Sequence, residues 1–104
     1  MGFSDSPGRL VLTISGVMDT SISNDIERLL ASIVDLAGVE QLLVADLSGV
    51  TYISSTGIGA LVSTLVRARK RNLAFNLARM PEKIHAVFEL LGFLQFFTIE
   101  ARDA

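Results

Sequence analysis

A chain of 104 residues is within the usual size of one domain and too short for two good cores. Half of it is hydrophobic and 19% is charged, which excludes a disordered chain, and a net charge of −2 argues against a nucleic-acid binder. The lack of cysteine removes disulfides, thiolate catalysis and cysteine-ligated metal.

The first nine residues are expected to form either a loose segment or an additional edge strand, with residues 10–104 as the single domain. They have no basic start leading into an apolar core, so they do not read as a secretory signal. Nor is there a run of roughly 18 apolar residues that would span a membrane. "RLVLTISG" alternates as a strand, with Leu10, Leu12 and Ile14 on one face. "GVMDTS" is read as a turn. "SNDIERLLASIVDLAG" has helical spacing at Ile26, Leu29, Leu30, Ile33 and Val34, with Ser23 or Asn24 as the expected cap and Gly38 as the stop. "QLLVADLSG" is almost continuously apolar and suits a central strand covered on both faces, with Gly49 as its exit. The helical period returns from about Thr56 to Arg71, with Ile58, Leu61, Val62, Leu65 and Val66 as its inner stripe. "NLAFNLAR" is the next strand. A helix opened by Pro81 and closed by Gly92 follows, and "FLQFFTIEA" ends the chain as an edge strand. Strands alternating with helices predict an α/β domain with helices packed against a largely parallel sheet.

"SSTGIG", residues 54–59, is where chemistry would concentrate. Hydroxyls at a helix entry cap orphan N–H groups for about 1 kcal/mol, which accounts for one of the three. A nucleophilic serine needs a base, and the one histidine, His85, lies on a different helix in a sequence with no G-x-S-x-G elbow. Neither a dinucleotide-binding nor a P-loop pattern is present, and a lone histidine leaves no metal cluster, so no cofactor is expected. The fourth reading is a protein-docking surface switched by phosphate. Phosphorylation adds roughly −1.5 to −2 charges, which a helix N-terminus tolerates but a partner burying that serine does not. Physical reasoning alone does not choose among these. "RARKR", residues 67–71, reads as a helix C-terminus complementing the dipole.

The stretch "VADLSGVTYISSTGIGALVSTLVRARKR", with "NLAFNLARMPEKIHAVFELLGFLQFFTI" and the G-x-x-D turn of Gly16 and Asp19, resembles the STAS domain family, in particular its bacterial anti-sigma factor antagonists. The family's phosphorylated motif, Asp-Ser-[Ser/Thr]-Gly-[Leu/Ile]-Gly, falls on residues 54–59, with Ser54 standing where the family has aspartate. The resemblance implies a cytoplasmic, non-enzymatic STAS-like domain. Its partner would be an anti-sigma factor with GHKL-type serine kinase activity, and a phosphatase would reverse phosphorylation at Ser55, with Ser54 as the alternative acceptor. The implied partner-binding residues are Asp19, Thr20, Ser21, Thr51, Ser54, Ser55, Thr56, Gly57, Ser63 and Arg67, with Asp46 a further member of the rim and Thr56 the expected helix cap. The family also offers a non-phosphorylated role, as an interaction subunit of a lipid-transport ABC complex or a stress-signalling scaffold. A serine hydrolase using Ser55 is the enzyme alternative. Neither nucleic-acid contact nor membrane insertion is expected.

Overall fold

The computed structural model describes residues 2–6, 8–37 and 41–100. Five strands form one sheet in chain order: β1 (Gly2–Ser6), β2 (Arg9–Met18), β3 (Leu42–Ile53), β4 (Ala74–Ala78) and β5 (Thr98–Ile99). β1 pairs antiparallel with β2, and every later pair is parallel. Helices α1 (Thr20–Leu36), α2 (Ser55–Lys70) and α3 (Glu82–Leu90) make the crossovers. The domain is therefore α/β, with a mixed, largely parallel sheet flanked by helices.

The alternation seen in β2 decides which face is covered. Leu10, Leu12 and Ile14 share a buried cluster with Leu43, Ala45 and Leu47 of β3 and Phe75 and Leu77 of β4. Ile26, Leu30 and Val34 of α1, Ile58, Leu61 and Leu65 of α2, and Ile84 and Phe88 of α3 complete it. Leu29 and Val66, both assigned to the inner stripes, are instead exposed, because each helix presents a narrower face than its apolar residues cover. Phe88 meets Phe97 edge-on at 5.8 Å, a pairing worth about 0.5–1.5 kcal/mol beyond the area it buries. That contact fixes the end of the sheet where β5 has only two residues.

The chain segments differ from expectation at three places. α1 begins at Thr20, because Asp19 caps it and absorbs the expected turn; Ser23 is fully buried inside the helix. β3 does not leave the sheet at Gly49. A Cβ there would stand 2.7 Å from Ser15 Cβ, so glycine lets β2 and β3 stay paired as far as Met18 and Ile53. The last segment first makes a 3-10 turn over Leu94–Phe96 and only then pairs as β5. The expected stop at Gly38 lies outside the described residues.

The central strand is covered by helices on one face alone. On the other, Arg9 reaches across β3 and β4 to Glu100, just past β5, in a two-pronged ion pair of 3.1 and 2.5 Å. Asn76 of β4 donates to the same carboxylate at 3.1 Å. Val44 is fully buried on this face, within a shallow depression of about 240 Å³ that Arg9, Asp46, Arg79 and Glu100 also line. A polar clasp thus takes the place of a second helix layer.

The clasp makes a pH prediction. Hydrogen bonds from Arg9 and then Asn76 hold the Glu100 carboxyl below its ordinary value of 4.5, against an opposing effect of burial. A lowered folded-state value stabilises the fold above the unfolded value, and the gain is lost as pH falls through the folded one. Urea unfolding from about pH 5 down to about pH 3 should therefore show wild type losing more stability than Glu100→Gln. Parallel pH profiles for the two proteins would remove the clasp's electrostatic role.

Candidate functional site

Two strand ends and two helix starts meet at one pole. Met18 and Ile53 are register partners, so Asp19 and Ser54, which follow them, emerge side by side. Each then caps the helix it precedes. Asp19 Oδ1 accepts from Ile22 N at 3.2 Å and from the Ser21 hydroxyl at 3.1 Å, and these bonds, led by that from Ile22, hold its carboxyl below the usual aspartate value. Ser54 Oγ accepts from Gly57 N at 3.1 Å while donating to the carbonyl of Met18 at 3.0 Å, and Ser54 N donates to that same carbonyl at 3.0 Å. The Thr20 and Thr56 hydroxyls stand 3.4 Å apart, joining the first turns of α1 and α2.

This geometry gives the three hydroxyls of the triplet different positions. Ser54, half-buried, is the cap of α2; Thr56, the expected cap, instead faces Thr20. Ser55 is exposed as the first residue of α2, and no side-chain hydrogen bond among the described residues engages it. An aspartate at position 54 could accept from Gly57 N, but its carboxylate has no proton to give to Met18 O. Serine is therefore matched to a junction that needs a donor and an acceptor on one atom.

Gly57 and Gly59 also differ. Gly57 is buried, and a Cβ there would lie 2.8 Å from Ile53 Cγ1 and 3.0 Å from the Met18 carbonyl oxygen. It lets α2 sit close on the ends of β2 and β3. Gly59 is exposed, and a Cβ there would meet nothing within 4 Å. Alanine at such a helical position is favoured by about 0.8–1 kcal/mol, so Gly59 weakens the helix without relieving any internal contact.

Asp19, Thr20, Ser21, Thr51 and Ser55 are all exposed around this pole, and Thr56 is half-buried beside them. Ser63 and Arg67 lie further along α2, where with Asn24, Glu27, Arg28 and Ala31 they line a groove of about 420 Å³ between α1 and α2. Arg67 Nε stands 3.4 Å from Asp35 Oδ1. Asp46 does not join the rim: it lines the depression on the opposite sheet face and accepts from Ser48 N at 2.9 Å. Three apolar residues near the pole, Val17, Ile22 and Tyr52, are 42, 44 and 55% exposed and were not among the expected contacts. Val17 and Tyr52 are register partners. Sequence periodicity missed this pair because register shifts between Thr13 and Ser15 and between Gly16 and Val17 disturb the alternation it assumes.

The electrostatics are quiet. From Thr51 to Val66 no side chain is charged, leaving Asp19 as the fixed charge of the rim. His85 is on α3, with Nδ1 3.7 Å from Glu89 Oε2. No cluster of three His, Cys, Asp or Glu among the described residues could hold a metal ion. No helix among them is long and apolar enough to cross a membrane.

The chain matches the STAS domain model over residues 4–103. The chain belongs to the STAS domain family, and within it is similar to anti-sigma factor antagonists. It is 30% identical over 98 residues to the Bordetella bronchiseptica protein named "Putative anti-sigma factor antagonist BtrV", covering 93% of this chain and 83% of that protein. An anti-sigma factor antagonist from Mycobacterium paratuberculosis shares the fold, with a TM-score of 0.82 at 24% identity over 93% of this chain and 80% of that one. So does the Bacillus cell fate determinant SpoIIAA in its phosphorylated form, with a TM-score of 0.70 at 12% identity over 96% and 92% of the two chains.

Removing the cap tests the junction. Ser54→Ala should lower the unfolding free energy by about 1–2 kcal/mol in urea titrations, since an N-cap hydroxyl and its link to β2 go together. A loss below about 0.3 kcal/mol would mean that the Ser54 hydroxyl does not hold the pole together.

Proposed function

We propose that this chain is an anti-sigma factor antagonist that binds an anti-sigma factor with GHKL-type serine kinase activity and is released when Ser55 is phosphorylated. The observation that carries the proposal is the division of roles between neighbouring serines. Ser54 Oγ is engaged both as donor and as acceptor, whereas Ser55 is exposed at the first position of α2. The relative BtrV and the phosphorylated form of SpoIIAA support the same reading.

The switch follows from an energetic asymmetry. A phosphate on Ser55 would project into solvent at the positive end of α2, where an exposed negative charge gains about 0.3–1 kcal/mol. Folding is therefore little affected. A partner docked over this pole, whose fixed charge is the negative Asp19, would have to bury roughly −1.5 to −2 further charges without a counter-charge from the pole, at a cost of several kcal/mol. A phosphatase acting on the exposed phosphoserine would restore binding. The neutral, partly apolar rim of Val17, Ile22 and Tyr52 suits a surface that a partner covers when the phosphate is absent. The chain would act in the cytoplasm, where such a kinase has ATP.

Incubating the protein with ATP and each GHKL-type anti-sigma factor kinase of its source organism, then mapping phosphate by mass spectrometry, tests the assignment. Phosphate is expected on Ser55 and not on Ser54, and Ser55→Ala should abolish it. Binding should weaken roughly hundredfold or more on phosphorylation, the equivalent of about 3 kcal/mol. An active kinase that leaves Ser55 unmodified would sink the switch and favour the scaffold or transporter-subunit role. Modification confined to Ser54 would contradict its bonded position.

A further inference from the structure

We propose that the pole of the domain opposite Ser55 rests on an anionic lipid bilayer, with Leu36, Leu90, Leu91 and Phe96 dipping into the interface and Arg69, Lys70 and Arg71 meeting the phosphate headgroups. None of these residues takes part in the proposed Ser55 switch, which lies at the other end of α2.

Topology brings them together. Each helix carries the chain from the end of one parallel strand back to the start of the next, so all three C-terminal ends lie at the pole where those strands begin. Leu36 is the last residue of α1, Lys70 of α2 and Leu90 of α3. The ends are also bonded to one another. Arg71 Nη2 donates to the carbonyl of Asp35 at 3.0 Å, beside Leu36, and Arg69 Nη2 stands 3.4 Å from the carbonyl oxygen of Phe96. Phe93 N donates to the carbonyl of Phe88 at 2.9 Å, and its ring lies 6.0 Å from that of Phe96, which keeps the 3-10 turn beside the end of α3.

Exposed leucines scattered singly need no explanation. Here Leu36 and Leu90 are 88 and 85% exposed, and Leu91 and Phe96 are 49 and 48% exposed, all at one end of the molecule. Side chains that bare stand clear of the domain instead of lining a groove. A protein partner would need a matching pocket for each tip, whereas a bilayer interface accepts protruding apolar side chains wherever they fall.

Charge selects the lipid. Arg69, Lys70 and Arg71 are exposed at the end of the middle helix, and among the described residues no carboxylate pairs with any of them. The contacts of Arg69 and Arg71 are to neutral carbonyls, which leave their charge uncompensated. Of the carboxylates in the last helical turns, Asp35 faces Arg67, and Glu89 stands 3.7 Å from His85. Dipole complementation accounts for basic residues at a helix end but not for bare leucines beside them. The net charge of −2 belongs to the whole chain. Ser55 and Lys70 are about 22 Å apart along α2, beyond the roughly 10 Å over which exposed charges act at 0.1 M salt. Apolar tips joined to a basic cluster are the two signals that together hold a domain on an anionic leaflet. The Ser55 pole then faces away from the bilayer.

Co-sedimentation of the purified full chain with vesicles of phosphatidylglycerol and phosphatidylcholine, and with phosphatidylcholine alone, tests this. Wild type should bind the anionic vesicles about tenfold or more better than the neutral ones, and about 0.5 M salt should release it. Leu36→Ser/Leu90→Ser and Lys70→Glu should each lower that binding about tenfold. Leu29→Ser, midway along α1, removes an exposed leucine elsewhere and should bind as wild type does. The chain has no tryptophan, so Leu90→Trp reports its own surroundings. Its emission should shift to the blue on anionic vesicles, and that of Leu29→Trp should not. No binding to anionic vesicles, the result expected if the pole serves an acidic protein, overturns the proposal. So does equal binding to neutral vesicles, or a Leu29→Ser variant as weak as Leu36→Ser/Leu90→Ser. The Ser55 switch stands or falls separately, on phosphate mapped in the absence of lipid.

Discussion

The carbonyl oxygen of Met18 accepts both the N–H and the hydroxyl of Ser54, and the functional pole is organised around that junction. It ties the end of β2 to the start of α2 across 36 residues of sequence. The same hydroxyl accepts from Gly57, so the first turn of α2 is anchored to the sheet. Gly57 allows the approach by having no side chain to strike Met18 or Ile53. Ser55 is positioned by these neighbours without taking part in their bonds, which leaves its hydroxyl open to solvent.

Stability and recognition are consequently held in separate layers. The core cluster runs between the sheet and three helices and includes none of the exposed hydroxyls. Charge chemistry is concentrated elsewhere: in the clasp on the far face of the sheet and in the basic end of α2. The pole between them is nearly neutral. A charge introduced there disturbs little that holds the domain together, because the buried apolar contacts lie one layer below it.

The fold was largely legible because the alternation of Leu10, Leu12 and Ile14 and the helical spacing of Ile26, Leu30 and Val34 are direct consequences of burial on one side. Boundaries were less so. Asp19 was readable as a turn residue, and whether an aspartate bonds a turn or caps a helix depends on where the next strand ends. The roles within the serine triplet depended on the carbonyl of a residue 36 positions away, which no local pattern encodes. Periodicity likewise assigned Val66 and Leu29 to the core, although the width of the face each helix buries is set by its neighbours. The exposed pair Val17 and Tyr52 was hidden by the register shifts that turn both outward. The two glycines of the motif look alike in sequence, and only the surrounding space distinguishes the one that packing demands from the one it does not.

The Arg9–Glu100 clasp has a consequence for how the molecule is made. Its partners are separated by 91 positions, so almost the whole chain must be synthesised before the far face of the sheet can close. Met18, Ser54 and Gly57, by contrast, are all present once the first 60 or so residues have emerged. The pole that carries the candidate switch has the parts for its junction while the last strand is still missing. The clasp ties β2 to the segment after β5, and it can form only when both ends of the chain are present.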